Sequence, residues 1–383
     1  MPISNFSIAD KTRNLTRLTC FFWLIAKIIS YKVWLADRLF PLVPPFNFLE
    51  VPSAIHTILF SLSLLILVVL LLLPTNKILL VSIIVIEILS CALDQNRWQP
   101  WEYQYILLIL ILIINYKNKK NAVSVISLLL ISVYFYSGVS KLNPIFSRFI
   151  RHEIVHANIF HESTSMASIW VTFHLGYLLT LIEILLSIGL LFRQSRKIAA
   201  SFLIAMHLLI LAAFGPFGLN YDKIIWPWNI VMMGFLYLLF IHNSPVTPFS
   251  QSIKQGWNKL ILVLFGMLPA LNFIGYWDFY LSSSLISGRT PEMYICINHE
   301  GSGKKLQPFF SKEKYQFRCD RNSYLLDITA WSFQEMQVPV YPELRIYQSI
   351  KKQLTERYPD MKATFLIYHY INGRKERIEL NQK

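Results

Sequence analysis

The strongest constraint on this chain is a succession of apolar runs at 15–35, 54–73, 77–93, 102–116, 122–142, 169–192, 198–216, 225–242 and 257–277. About 20 helical residues cross the hydrocarbon of a bilayer, so each run reads as a membrane span, with 77–93 and 102–116 short. The first run carries Arg17, Lys27 and Lys32, which also suits a helix lying partly along the interface. Charged residues make up 15% of the chain and hydrophobic ones 54%. A soluble domain is about one quarter charged, so these values exclude disorder, a coiled coil and an ordinary soluble enzyme. The polar start shows no charged, then apolar, then small-residue pattern of a cleaved signal peptide.

Lys and Arg number 36 against 22 Asp and Glu, a formal charge of +14. In a soluble protein that excess would suggest nucleic acid as a partner. In a membrane protein it sets topology, and no nucleic-acid partner is expected. With nine alternating spans, Lys11, Arg13, Arg17, Lys77, Lys117, Lys119, Lys120, Arg193, Arg196, Lys197, Lys254 and Lys259 fall on one side. The other side offers Arg38, Arg97, Arg148, Arg151 and Lys223. The positive-inside rule then places the N-terminus in the cytoplasm and the C-terminus outside.

The sequence thus divides into a cytoplasmic segment 1–14, a transmembrane domain 15–280 and an extracytoplasmic domain 288–383. In the last, Pro291–Asn298 and Lys362–Ile371 alternate like half-buried strands. Asn372-Gly373, before Lys375–Leu380, is a hairpin signal, and Pro342 precedes a helix over Glu343–Arg357. The expected fold class is an all-α polytopic membrane bundle with a small C-terminal α+β domain. Cys20 and Cys91 lie in apolar spans as packing residues. Cys296 and Cys319 lie in the outer domain, where an oxidising compartment allows a disulfide.

Ionisable groups at membrane depth need a reason, because each costs a few kcal/mol. Glu87 is one. Glu183 and His207 are two more, both about ten residues from the turn joining their spans, so they are expected to meet as a supporting polar pair. Lys141 ends its span, with Tyr134 and Gly138 on the same helical face, and Ser137 and Gly138 allow close helix approach. It reads either as a snorkelling lysine or as a general base in an enclosed pocket. The segment Leu93–Tyr105 is dense in polar and aromatic residues. It reads either as an interfacial aromatic belt or as a loop held inside the bundle by pairing of Asp94 with Arg97. His152-Glu153-Ile154-Val155-His156 matches the zinc-protease pattern HExxH, with His161 and Glu162 as candidates for the third ligand. The opposing reading is interfacial histidines beside a chance glutamate, and no metal is expected.

Three patches carry a resemblance. Leu93-Asp94-x-x-x-Trp98-x-x-x-x-Tyr103-x-Tyr105 is followed by Tyr134-Phe135-x-x-Gly138-x-x-Lys141-Leu142-Asn143, and then by Glu183–Phe192 with Arg193 and Arg196. In this order they resemble the membrane domain of vitamin K-dependent γ-carboxylase and the bacterial HTTM group of carboxylase-like membrane proteins, over residues 15–245. The resemblance implies a membrane enzyme acting on a lipid quinone or hydroquinone, with Lys141 as the base that deprotonates it. Asp94, Arg97, Trp98, Trp101, Tyr103 and Tyr134 would line the substrate pocket, and Glu183 and His207 would support it. It also implies a bacterial inner membrane. Two departures bear on the chemistry. Trp101 stands where the family has a catalytic histidine, and an indole N–H only donates. Residues 288–383 are also far shorter than the family's luminal region. Quinone chemistry is therefore expected rather than full glutamate carboxylation. The rival expectation is a non-enzymatic scaffold whose C-terminal domain binds an extracytoplasmic protein. A metalloprotease and a transporter come after it; the sequence shows no matched broken-helix halves.

Overall fold

The computed structural model describes residues 7–156, 166–218, 220, 222–242, 248–254, 256–285, 287–298, 304–311, 319, 323–371 and 374–380. It is mostly helical with one four-stranded antiparallel sheet near the C-terminus. The chain forms two compact units. The first gathers residues up to 26, 63–86 and 100–288, and the second gathers 27–62, 87–99 and 289–383. The boundary at Gly288 falls where the composition changes. However, two stretches of the region expected as one transmembrane domain join the second unit.

The helices are α1 (Ile8–Ile29), α2 (Ser53–Leu72), α3 (Lys77–Leu93), α4 (Pro100–Ile114), α5 (Lys119–Lys141), α6 (Pro144–His156), α7 (Met166–Gly189), α8 (Arg196–Phe214), α9 (Ile225–Leu236) and α10 (Gly256–Leu262). The last two continue into wider π turns at Tyr237–Ile241 and Val263–Met267. Helix lies in each of the nine apolar runs. Among the described residues, four stretches are long and apolar enough to cross a membrane: Ser53–Leu72, Lys119–Lys141, Arg196–Phe214 and Gly256–Ile274. These four correspond to the expected spans 54–73, 122–142, 198–216 and 257–277. Helix α1 carries Lys11, Arg13, Arg17 and Lys27 and ends earlier than the predicted span, at Ile29. Helix α3 has 17 residues, and the apolar stretches Pro100–Ile114 and Ile225–Ile241 are also short.

Side-chain caps set the helix starts. Asn76 accepts from the backbone N–H groups of Ile78 (3.0 Å) and Leu79 (3.2 Å), beginning α3 two residues after Pro74. Asn118 accepts from Asn121 N–H (3.1 Å) and begins α5. Asn143 accepts from Ile145 and Phe146 N–H, each at 3.0 Å, with Pro144 opening α6. The π turn in 263–267 releases carbonyls from the regular ladder, and neighbouring side chains take them up. Tyr136 Oη donates to Gly266 O (2.7 Å), Ser132 Oγ to Phe265 O and Tyr103 Oη to Leu264 O (3.5 Å).

The sheet of the second unit has the order β2-β1-β3-β4, with β1 Glu292–Asn298, β2 Ser323–Asp327, β3 Ala363–Ile371 and β4 Arg374–Leu380. Cys296 opposes Leu325 on one side and Thr364 on the other. One face buries Tyr294, Cys296, Leu325 and Leu366 together, with Cys319 and Tyr368 packed on them. Alternation places Met293, Ile295, Phe365 and Ile367 on the opposite face, and all four are buried. Two helices, α11 (Ile328–Met336) and α12 (Leu344–Arg357), complete the unit, with Asp327 capping α11 through Thr329 and Ala330 N–H. Cys296 and Cys319 form a disulfide with Cα atoms 5.5 Å apart. The predicted strands and helix near the C-terminus correspond to β1, β3, β4 and α12, while β2 and α11 had no sequence forecast. The Asn372-Gly373 turn lies outside the described residues.

Candidate functional site

The first unit contains a cavity of about 180 Å3 bounded by α5, α6, α7, α8 and α9. Its polar groups are Tyr134, Ser137, Lys141, Glu183, His207 and Asn229, and Phe146, Phe149 and Trp228 stand among its apolar ones. Helical periodicity puts Tyr134, Ser137 and Lys141 on one face of α5. Gly138, beside them, sets the distance to α7. A Cβ added there would meet Ile184 Cγ1 at 2.7 Å and Ile184 N at 3.3 Å. That close approach brings Lys141 to Glu183.

The Lys141 ammonium donates to Glu183 Oε2 at 2.9 Å, to Oε1 at 3.3 Å and to Ser137 Oγ at 2.9 Å. The side chains of Lys141 and Glu183 are 18% and 6% exposed. Lys141 is thus neither a lone snorkelling cation nor an isolated amine. It is one half of an ion pair bordering a mainly apolar cavity. Asn143 steadies the end of its helix by donating to Ser140 O and Ser287 O, both at 2.9 Å.

His207 lies between Tyr134 and Asn229. Asn229 donates its amide N–H to Ile225 O (2.7 Å), so its Oδ1 accepts from His207 Nδ1 (2.6 Å). This fixes the neutral ring as the Nδ1–H tautomer, and Nε2 accepts from the Tyr134 hydroxyl at 2.6 Å. The expected pairing of Glu183 with His207 is therefore replaced by two sets, Lys141–Glu183–Ser137 and Tyr134–His207–Asn229, around one cavity. Two side chains of α5 take one member each, Lys141 pairing with Glu183 and Tyr134 with His207. Asn229 was not anticipated, although an asparagine inside the apolar run 225–242 was the available signal.

Of the six residues expected to bind substrate, Tyr134 lines this cavity. Trp101 is buried beside Tyr105, with ring centroids 6.3 Å apart, and Tyr103 serves the π turn. Asp94, Arg97 and Trp98 belong to the second unit. There the expected Asp94–Arg97 pair gives way to other partners. Asp94 pairs with Arg38 and accepts from Val43 N–H (3.1 Å) and Asn96 N–H (3.1 Å). Arg97 donates to the carbonyls of Val33, Trp34 and Ser90, each at 2.9 Å, and to His56 Nδ1 at 2.8 Å. Its pKa is lowered to about 10, first by burial, against the opposing pull of Asp94. Arg97 fits three carbonyls that Asp94 cannot use, because a guanidinium carries five donors and a carboxylate none. Trp98 closes the short turn through its N–H to Gln95 O (3.1 Å).

Glu87 also has its answer in the second unit. Lys27 Nζ is 2.7 Å from its Oε2, both side chains are fully buried, and the ammonium lies 3.1 Å from the Trp34 ring centroid. The helix α6 includes His152, Glu153 and His156, so the HExxH spacing lies on helical backbone. Their side chains, and His161 and Glu162, lie outside the described residues. Among the described residues no group of three or more His, Cys, Asp or Glu could hold a metal ion.

No family model matches the chain, and no curated protein or solved structure matches it.

Proposed function

We propose that this is a nine-span membrane protein of the carboxylase-like type, and that its first unit is an enzyme acting on a lipid quinone or similarly apolar, ring-bearing substrate. The observation that carries the reading is the Lys141–Glu183 pair at the wall of a cavity shared with a neutral Tyr134–His207–Asn229 set. The cavity is smaller than the usual range for whole drug-sized ligands, about 300–1,000 Å3, so it suits a ring head group whose tail lies in lipid. Phe146, Phe149 and Trp228 offer aromatic faces to such a ring.

The chain's own groups suit proton transfer at a ring oxygen. A proton passing from Lys141 to Glu183 leaves a neutral amine, which can then take one from a hydroxyl, and Ser137 orients that amine. Tyr134 can donate to a second oxygen while His207 and Asn229 hold its hydroxyl in place. His207 also brings an imidazole to the site, although Trp101 occupies the position of the family's catalytic histidine.

Two further observations support the topology of an inside N-terminus and an outside C-terminal domain. The second unit gathers 27–62, 87–99 and 289–383. These include two of the loops, around Arg38 and Arg97, that the positive-inside rule places on the same side as the C-terminus. The basic clusters around Lys77, Lys119, Arg196 and Lys259 all lie in the first unit. A bacterial inner membrane is part of the same proposal.

The test is to purify the protein in mild detergent, extract it with organic solvent and look for bound quinone by mass and absorbance, beside Lys141→Ala. Stoichiometric quinone in the wild type, lost or redox-inert in the variant, is expected. No enrichment over a control membrane protein, from a folded sample, would refute the enzyme and favour a scaffold that works through its C-terminal domain.

A further inference from the structure

The first unit holds a second cavity, about 160 Å3, that the proposed activity does not use. It lies at the opposite end of α5 from Lys141. Four segments converge on it: α1 with Thr12 and Thr16, the turn before α3 with Thr75, the turn after α4 with Tyr116, and the start of α5 with Lys119. Tyr116 Oη donates to Thr75 O (2.8 Å) and ties the two turns together. Among the described residues of its lining, Lys119 alone is charged, and it is half-buried. Two more cations stand close by. The Lys77 ammonium is 5.9 Å from the Tyr116 ring centroid, and Arg17, next to Thr16, donates to Leu71 O (3.1 Å) just before the α2–α3 turn.

The counter-charge is missing. Among the described residues, none of Lys119, Lys77 and Arg17 forms an ion pair with a carboxylate. The stretches that build the cavity, 1–26, 63–86 and 106–130, contain a single acid, Asp10, and it already accepts from Arg13 and from Ser7 Oγ (2.6 Å). Elsewhere the chain supplies its own anions where cations enter the interior: Glu87 for Lys27, Asp94 for Arg38 and Glu183 for Lys141. Here the anion has to come from outside. The N-terminal ends of α3 and α5, which start at Lys77 and Lys119, add to the positive field. Thr75 is exposed, and among the described residues its hydroxyl has no partner, so it is free to donate to the same anion.

We propose that this cavity holds the phosphate of an anionic phospholipid such as phosphatidylglycerol, with Lys119 and Thr75 donating to it and Lys77 and Arg17 supplying charge at the mouth. A soluble phosphate ester offers the same chemistry. The lipid is favoured because Leu72, Leu73 and Ile78, on either side of the α2–α3 turn, are exposed and give acyl chains a surface to lie on. The volume is also below the range of whole drug-sized ligands, which suits a head group whose chains stay in the bilayer. Basic pockets between helices at the membrane surface hold lipid phosphates in this way. The proposal rests on the chain spanning a membrane and is independent of the Lys141 chemistry.

The test is native mass spectrometry of the full chain released from nanodiscs holding equal phosphatidylglycerol and phosphatidylethanolamine. The wild type is expected to retain one phosphatidylglycerol. Lys119→Gln should weaken that retention about tenfold, the worth of a hydrogen bond to a charged group, and Lys119→Arg should keep it. Lys77→Gln should weaken it about fivefold, and because Lys77 is exposed this variant keeps the test valid if Lys119→Gln fails to fold. Lys197→Gln, at an exposed basic position outside the cavity, should change nothing. Equal retention of both lipids by the wild type would overturn the proposal. So would equal losses in Lys197→Gln and Lys119→Gln, which would mean a basic surface without a site. Displacement of the lipid by soluble glycerol phosphate would overturn the lipid as the source. A folded chain that does not enter nanodiscs would refute the membrane-spanning reading itself.

Discussion

Each unit contains a lysine–glutamate ion pair, and the two pairs differ in what surrounds them. Lys27–Glu87 in the second unit has no exposed side-chain surface, and Trp34 covers the ammonium. Lys141–Glu183 in the first unit has nearly the same separation, 2.9 Å against 2.7 Å, but borders a cavity. Ion-pair chemistry is common to both, so packing must separate their roles. A sealed pair has no route for exchanging a proton with a ligand and serves to fix the segments that carry it. A pair at a cavity wall can change partners when a ligand enters.

The comparison is broken or sharpened by substitution. The largest effect is expected for Lys27→Met, which leaves Glu87 buried without its counter-charge at a cost of about 3–5 kcal/mol. Denaturant unfolding in detergent would measure it, and adding Glu87→Met should recover most of the loss. Next is removal of the disulfide by Cys296→Ser with Cys319→Ser. The bridge closes a separation of 23 residues, and its loss should cost about 2–4 kcal/mol, with limited proteolysis focused on the second unit. Gly138→Val should cost about 1–3 kcal/mol by forcing α5 from Ile184, and should weaken ligand binding by separating Lys141 from Glu183. Lys141→Met should cost less stability than Lys27→Met, because the side chain of Lys141 is 18% exposed whereas that of Lys27 is fully buried. Ligand binding should nevertheless be lost, as titration with a short-chain quinone would show.

The parts of the fold that the sequence made legible were those written in local pattern. The apolar runs foretold the helices, and alternation with turn residues foretold β1, β3 and β4. Lys141, Tyr134 and Gly138 were readable as one face because helical spacing is short-range. Partner choice was not legible. Lys27 looked like a reason to doubt the first span, and Arg38 like an ordinary loop charge. Each proved to be the counter-ion of a buried acid, Glu87 or Asp94, about 60 residues away in sequence. The same long range hid the capture of Leu39 and Phe40 N–H by Glu335, at 2.6 and 2.9 Å. Nothing in the sequence announced the π turn, so the reach of the Tyr103 hydroxyl to Leu264 O was not foreseen.

The central claim is that the open pair is the functional centre and the sealed pair a structural one. Measuring unfolding stability and short-chain quinone binding together, on Lys141→Met and Lys27→Met in the same detergent, tests it directly. The account predicts that Lys141→Met loses less stability than Lys27→Met but loses binding. Lys27→Met should lose stability, while its folded fraction binds as the wild type does. Undiminished binding by Lys141→Met, from a protein as stable as the wild type, would contradict it.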